Sequence, residues 1–183
     1  MNLTSSPAEV LQFWFEEISP ASWWAGDPAF DERIKERFGK LLDQARQGEL
    51  FEWRKDAKGR LAEVIVLDQF PRNIHRGTPL AFSCDPMALA LAQEAVAGGN
   101  LAALNDIERA ILLLPYMHSE SRLIHEHAER LYQCHAPAEN YEFELKHKVI
   151  IDRFGRYPHR NAILGRESTA EELEFLKQPG SSF

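Results

Sequence analysis

The stretch DPAFDERIKERFGKLLDQARQG, residues 27–48, decides the fold class. Its apolar residues Phe30, Ile34, Phe38, Leu41 and Leu42 return every three or four positions, while Asp31, Glu32, Lys35 and Glu36 fall on the other side. That period belongs to an amphipathic helix lying on a core. Asp27 and Pro28 mark its start, as a capping carboxylate followed by a proline whose missing N–H would have had no helical partner. The same signature stands at Ser6-Pro7 and Asp85-Pro86, and capping-box spacing joins Ser6 to Glu9, Ser168 to Glu171 and Thr169 to Glu172.

Outward from this helix the pattern repeats. Leu61 to Phe70 is apolar nearly all round, which predicts a buried helix, and Pro71 is expected to stop it because proline disfavours helical geometry at the preceding residue. Pro86 to Ala97 closes at Gly98-Gly99, and Ile107 to Leu114 runs into Pro115, which must kink or end it. Further helices are expected over 120–133, 141–154 and 170–176, and strand alternation bounded by turns is missing. The chain therefore reads as one all-α domain over 1–183, an α/α array of about seven to nine helices joined by short loops. A strict repeat of about 34 residues is not visible.

With 183 residues the chain can bury roughly 70% of its unfolded surface, and 44% hydrophobic residues with eleven Phe and four Trp supply the core. Helical phase puts Leu11, Trp14 and Ile18 on the core side and Phe13 near the flank; Trp23, Trp24 and Trp53 read as packing residues. MNLTSSPAEV lacks the features of a signal peptide, and the longest apolar run, AILLLPYM (110–117), is too short to span a membrane. A cytoplasmic protein without a membrane partner is expected. Cys84 and Cys134 lack paired spacing and read as reduced thiols. A net charge of −7 repels phosphate backbones, so nucleic acid is not an expected partner. P-loop, GxGxxG, GxSxG and zinc-finger signatures are absent, and no cofactor is expected.

Against that acidic background, QFPRNIHRG (69–77) and RFGRYPHRNAILGRES (153–168) stand out. Both carry aromatic, Pro, Arg and Asn in order, with a further Arg and Gly following, and the second holds Arg153, Arg156, Arg160 and Arg166 with no carboxylate between them. Guanidinium forks and asparagine amides suit carboxylates or phosphates, so Arg72, Asn73, Arg156, Arg160, Asn161 and Arg166 are candidate ligand-binding residues. Equally, these arginines can cap helix ends and pair with carboxylates such as Asp68 and Asp152, stitching loops to the core.

PYMHSESRLIHEHAER (115–130) is dense in His and Glu. On a helix His125 and His127 face nearly opposite ways, and His118 lies roughly 10 Å along the axis from His125. Glu129 stands where HExxH needs its second histidine, so no metal site is expected. His118 and Glu120 follow the Pro115 break, where a His beside a carboxylate could serve as an oriented base. The plainer alternative has Ser119 capping the next helix and His118 packing at the corner.

Taken together, DQFPRNIHRG (68–77), DPMALALA (85–92), PYMHSE (115–120), RFGRYPHRNAILGRES and the terminal PGSSF (179–183) resemble the bacterial family catalogued as domain of unknown function 924. The resemblance spans nearly the whole chain in order. It implies an all-helical fold similar to the tetratricopeptide-repeat superhelix, with Phe183 matching the family and the tail docked, and it assigns no reaction.

Three functions follow as expectations. The first is a binding module that holds a small anion or acidic peptide between the two loops. The second is a metal-independent hydrolase or lyase with His118 or His159 as base, Glu120 or Asp68 as its orienter, and arginines on an anionic substrate. The third is a scaffold whose loops are purely structural. The first two are distinguished by whether a His–carboxylate pair lies within reach of the loop arginines. The third is distinguished by whether Arg72 and Arg160 are fully paired.

Overall fold

The computed structural model describes residues 5–182 apart from residue 25 and the side chain of residue 24. The expectations for Trp24 and for a docked Phe183 therefore lie outside the described residues. Nine α-helices and several short 3-10 turns make up the described chain, with no strand among the described residues. α1 (Pro7–Gln12) runs into a π-helical turn at Phe13–Glu17, and α2 (Pro28–Arg46) packs along α3 (Ala57–Ile74). After α4 (Asp85–Ala97), α5 (Asp106–Leu112) and α6 (Leu114–Met117), the pair α7 (Arg122–His135) and α8 (Ala138–Phe154) follows, and α9 (Ala170–Phe175) ends the array.

Central to the array is α3, which touches α1, α2, α4, α5 and α6. Its interior position explains its sequence, because Leu61 through Phe70 have neighbours on every side and are all buried. α2 presents Phe30, Ile34, Phe38, Leu41 and Leu42 to it, the stripe expected from the sequence. Consecutive antiparallel pairs of this kind are compatible with a tetratricopeptide-like course.

Several local expectations need correction. α3 does not stop before Pro71 but continues to Ile74, with His75 N–H donating to the Pro71 carbonyl at 2.9 Å. Phe70 is fully buried and stacks on Phe38 with centroids 4.9 Å apart, so tertiary packing overrides the proline's local preference. Phe13 is likewise fully buried, near Phe30, Phe38 and Phe70, and not on the helix flank. The π-turn that begins at Phe13 inserts an extra residue per turn and rotates both Phe13 and Trp14 inward. Asp85 lies inside α4, whose N-cap is Cys84 without a side-chain cap bond. Ser121, not Ser119, caps α7, which starts at Arg122 and not at Glu120. α8 begins at Ala138, ahead of the expected Tyr141. The C-terminal capping box forms at Thr169 with Glu172.

Candidate functional site

The two Pro-Arg-Asn segments are distant in sequence, yet they meet on one carboxylate. The last turns of α3 present Asp68, Gln69, Arg72 and Asn73. α8 ends at Gly155, whose φ of 70° favours a residue without Cβ, and the chain turns there into the 3-10 segment Pro158–Arg160. Between the loops in sequence, the 3-10 turn Pro79–Phe82 and the first residue of α4 supply Phe82 and Asp85.

Arg72 is tightly held. Its two terminal nitrogens donate to the two Asp85 oxygens at 2.8 and 2.9 Å, and Nη1 also donates to the Asp68 carbonyl at 2.6 Å. Its ion-pair distance to Asp68 Oδ1 is 3.4 Å. Arg160 reaches the same Asp85, but through a long Nη1–Oδ2 contact of 3.4 Å. Its guanidinium lies between two aromatic faces, 4.6 Å from the Phe82 centroid and 4.7 Å from the Tyr157 centroid. With 8% of the side chain exposed, Arg160 Nε has no hydrogen-bond partner among the described residues.

Beside Arg72, the Asp68 carboxylate meets His118. The Nδ1–Oδ1 distance is 2.9 Å, Asp68 is 1% exposed and the His118 side chain 12%. Gln69 donates to the other Asp68 oxygen. Of the alternatives open in sequence, a His–carboxylate pair does stand next to a loop arginine, and the carboxylate is Asp68. Glu120 is turned elsewhere. It accepts two bonds from Arg166 at 2.6 and 2.9 Å and the Tyr157 N–H at 2.7 Å, pinning the second loop.

The remaining candidates are engaged within the protein. Asn73 donates to Asp31 at 2.8 Å, where Arg76 also binds. Arg156 grips both Glu172 oxygens and the Glu167 carbonyl. Asn161 donates to Ser168 and accepts from Arg166, each at 3.0 Å. His159 packs on Tyr157 with ring centroids 5.5 Å apart. Asp152, expected to hold an arginine, pairs instead with Lys148 one helical turn away at 2.6 Å. His125 is buried, with Nδ1 2.7 Å from Glu144 Oε1 and Nε2 2.8 Å from the Ser119 carbonyl. No group of three or more His, Cys, Asp or Glu is disposed around a metal-sized space among the described residues.

Electrostatics separate the two central arginines. Burial acts against the charge of Arg72, but Asp68 and Asp85 outweigh it and hold its pKa above the usual value. For Arg160, burial and then the neighbouring Arg72 cation prevail over Asp85, and its pKa falls. Asp68 resists its own burial because Arg72 and His118 stabilise the carboxylate, at about 2. Burial, then Arg72, pushes His118 below the ordinary histidine value against the pull of Asp68. The resting pair is accordingly an ionised Asp68 accepting from the Nδ1–H of a neutral His118, which leaves Nε2 as the basic atom.

Sequence reasoning passed over Asp85, Phe82 and Tyr157. Asp85 precedes a proline at a helix start and carried a capping signal that described it well enough to hide its other use. Tyr157 shows in sequence as the aromatic of the repeated motif, whereas Phe82 has only position as a signal, three residues before Asp85.

Comparison with known proteins agrees with this architecture. Residues 10–180 match the family model described as bacterial protein of unknown function DUF924, and the chain belongs to that family. It is 36% identical to a protein of unknown function from Agrobacterium tumefaciens of known structure, covering 93% of this chain and 96% of that one with a TM-score of 0.88. No functionally curated protein matches the sequence.

Proposed function

We propose that this DUF924 protein is a cytoplasmic binding module that takes a small anion, best a monocarboxylate, on the Arg160 guanidinium. The observation that carries the proposal is the incomplete pairing of Arg160, which is buried between Phe82 and Tyr157 with one 3.4 Å contact and an unpartnered Nε. A buried guanidinium normally has its donors satisfied, because an unpaired one costs several kcal/mol. An incoming carboxylate offers the missing acceptors in the planar geometry that the fork matches.

Charge and access narrow the ligand. Arg72 and Arg160 face Asp68 and Asp85, two cations against two carboxylates, so the resting site is neutral. A monoanion adds a single charge there, whereas a phosphate dianion adds two. The recessed Arg160 side chain also favours a small molecule over a peptide strand. A tetratricopeptide-like course, with which the helix pairs are compatible, would favour ligand binding by analogy alone. Cys84 and Cys134, both free, fit a reducing compartment.

Thermal unfolding in acetate, phosphate and a short acidic peptide tests this, since a ligand bound only by the native state raises the melting temperature by mass action. Acetate should raise it in a saturable way, phosphate and peptide less, and Arg160→Ala should abolish the response. A wild-type protein indifferent to all three, or a variant that responds as well as wild type, would sink the proposal.

A further inference from the structure

The binding reading leaves one arrangement unused. A buried carboxylate fixes the Nδ1–H of His118, and the same Arg72 that braces this carboxylate binds the Asp85 on which Arg160 converges. The contacts form one chain, His118 to Asp68 to Arg72 to Asp85 to Arg160. We infer that Asp68 and His118 form the base of an enzyme active site, in which His118 Nε2 removes a proton from the carbon next to the carboxylate of a substrate held by Arg160. The inference rests on the anion-binding reading above and adds an activity to it.

Three features of the geometry support a base. Asp68 cannot turn away from the imidazole, because its second oxygen is bound by Gln69 and its backbone carbonyl by Arg72. The ring is therefore fixed in the tautomer with its lone pair on Nε2. No described residue hydrogen-bonds Nε2, and the ring keeps 12% of its surface exposed. As a proton is taken, the C–H bond breaks, the N–H bond forms, and the electron pair stays on the substrate carbon. The imidazolium so formed sits against the ionised Asp68, and the electron pair left on the carbon delocalises into the carboxylate that Arg160 holds. In this scheme His118 is the catalytic residue and Asp68 a positioning residue.

Iodoacetate and iodoacetamide test the inference without knowledge of the natural substrate. In both, the Nε2 lone pair attacks the methylene carbon, an N–C bond forms and iodide leaves with its electron pair. Only iodoacetate carries the carboxylate that Arg160 would bind. With Cys134 changed to Ser so that the exposed thiol does not consume reagent, peptide mass spectrometry follows modification of His118. Iodoacetate should label His118 roughly tenfold or more faster than iodoacetamide, since binding converts the encounter into an intramolecular one. Acetate should protect. Arg160→Gln should bring the iodoacetate rate down to that of iodoacetamide, and Asp68→Asn should slow both reagents together.

If acetate stabilises the protein but His118 is modified by neither reagent faster than a free imidazole, the base is overturned and the binding site stands. If His118 reacts readily but equally with both reagents, the anion site fails and the proposed base with it. The two reagents compared on the otherwise unaltered site separate these outcomes even where the Asp68→Asn variant does not fold.

Discussion

Arg72 and Arg160 hold matching positions in two copies of one short motif and bind the same carboxylate, yet their surroundings differ. Arg72 has a bidentate carboxylate, a backbone carbonyl and a second carboxylate within reach. Arg160 has the faces of two aromatic rings and a single long contact. Burial opposes both charges, and only in the first does the protein outweigh it. A repeated motif can thus do two jobs, stitching in one copy and offering an unsatisfied donor in the other. What separates them is the number of acceptors that the tertiary fold brings.

The contrast is broken most severely at the residue the two arginines share. Asp85→Ala removes the carboxylate that Arg160 contacts and the bidentate partner of Arg72, leaving two largely buried cations short of counter-charge. A loss of about 3–5 kcal/mol is expected in urea unfolding. Adding Arg160→Met to that variant should return part of the loss, because it removes the repulsion; a double variant less stable than Asp85→Ala would show that repulsion between the arginines is not the source of the loss.

Protons test the second loop's side. His147 and His159 both pack on Tyr157, and burial lowers their pKa values to about 3 and about 4. His118 is lowered too. A histidine whose folded pKa is depressed takes up its proton in the unfolded chain first, so stability falls as pH drops below about 6.5 and continues to fall until the folded pKa is reached. His147 and His159 together should cost about 4 kcal/mol between pH 7 and pH 5, before most carboxylates titrate. Chemical denaturation at the two pH values measures it, and a flat profile over that range would mean that these rings are solvated.

Much of the fold was legible because helix period and caps are local properties. The α2 stripe, the Ser6–Glu9 and Thr169–Glu172 boxes and the paired-helix class all follow from neighbouring residues. The errors arose where distant packing decided. Phe70 holds α3 helical up to Pro71 because aromatic rings from α2 and the first turns surround it. The site was half legible for the same reason. Repetition of Pro-Arg-Asn announced that the loops matter and Asp68 was among the carboxylates named, but His118 lies fifty positions from Asp68, and Arg160 seventy-five from Asp85. No spacing rule links residues so far apart. The matched motif also gave no hint of which arginine would be left short of acceptors.

The sister substitutions sharpen the contrast directly. Arg72→Met strands Asp68 and Asp85 in a site where Asp68 is 1% exposed, and should cost about 3 kcal/mol. Arg160→Met keeps a flexible apolar stem between Phe82 and Tyr157, removes a buried charge that was poorly compensated, and gives up two cation–π contacts of roughly 1 kcal/mol each. Relief of the desolvation cost and of the repulsion from Arg72 works against that loss, so the net change should be about 1 kcal/mol or less in either direction. Side-by-side urea melts of the two variants at pH 7 read the difference. Equal, large losses would make Arg160 a structural stitch like Arg72 and withdraw the reason for placing an anion there. A near-neutral Arg160→Met beside a costly Arg72→Met would mean that stability alone does not account for an arginine at position 160, which is what a binding role requires.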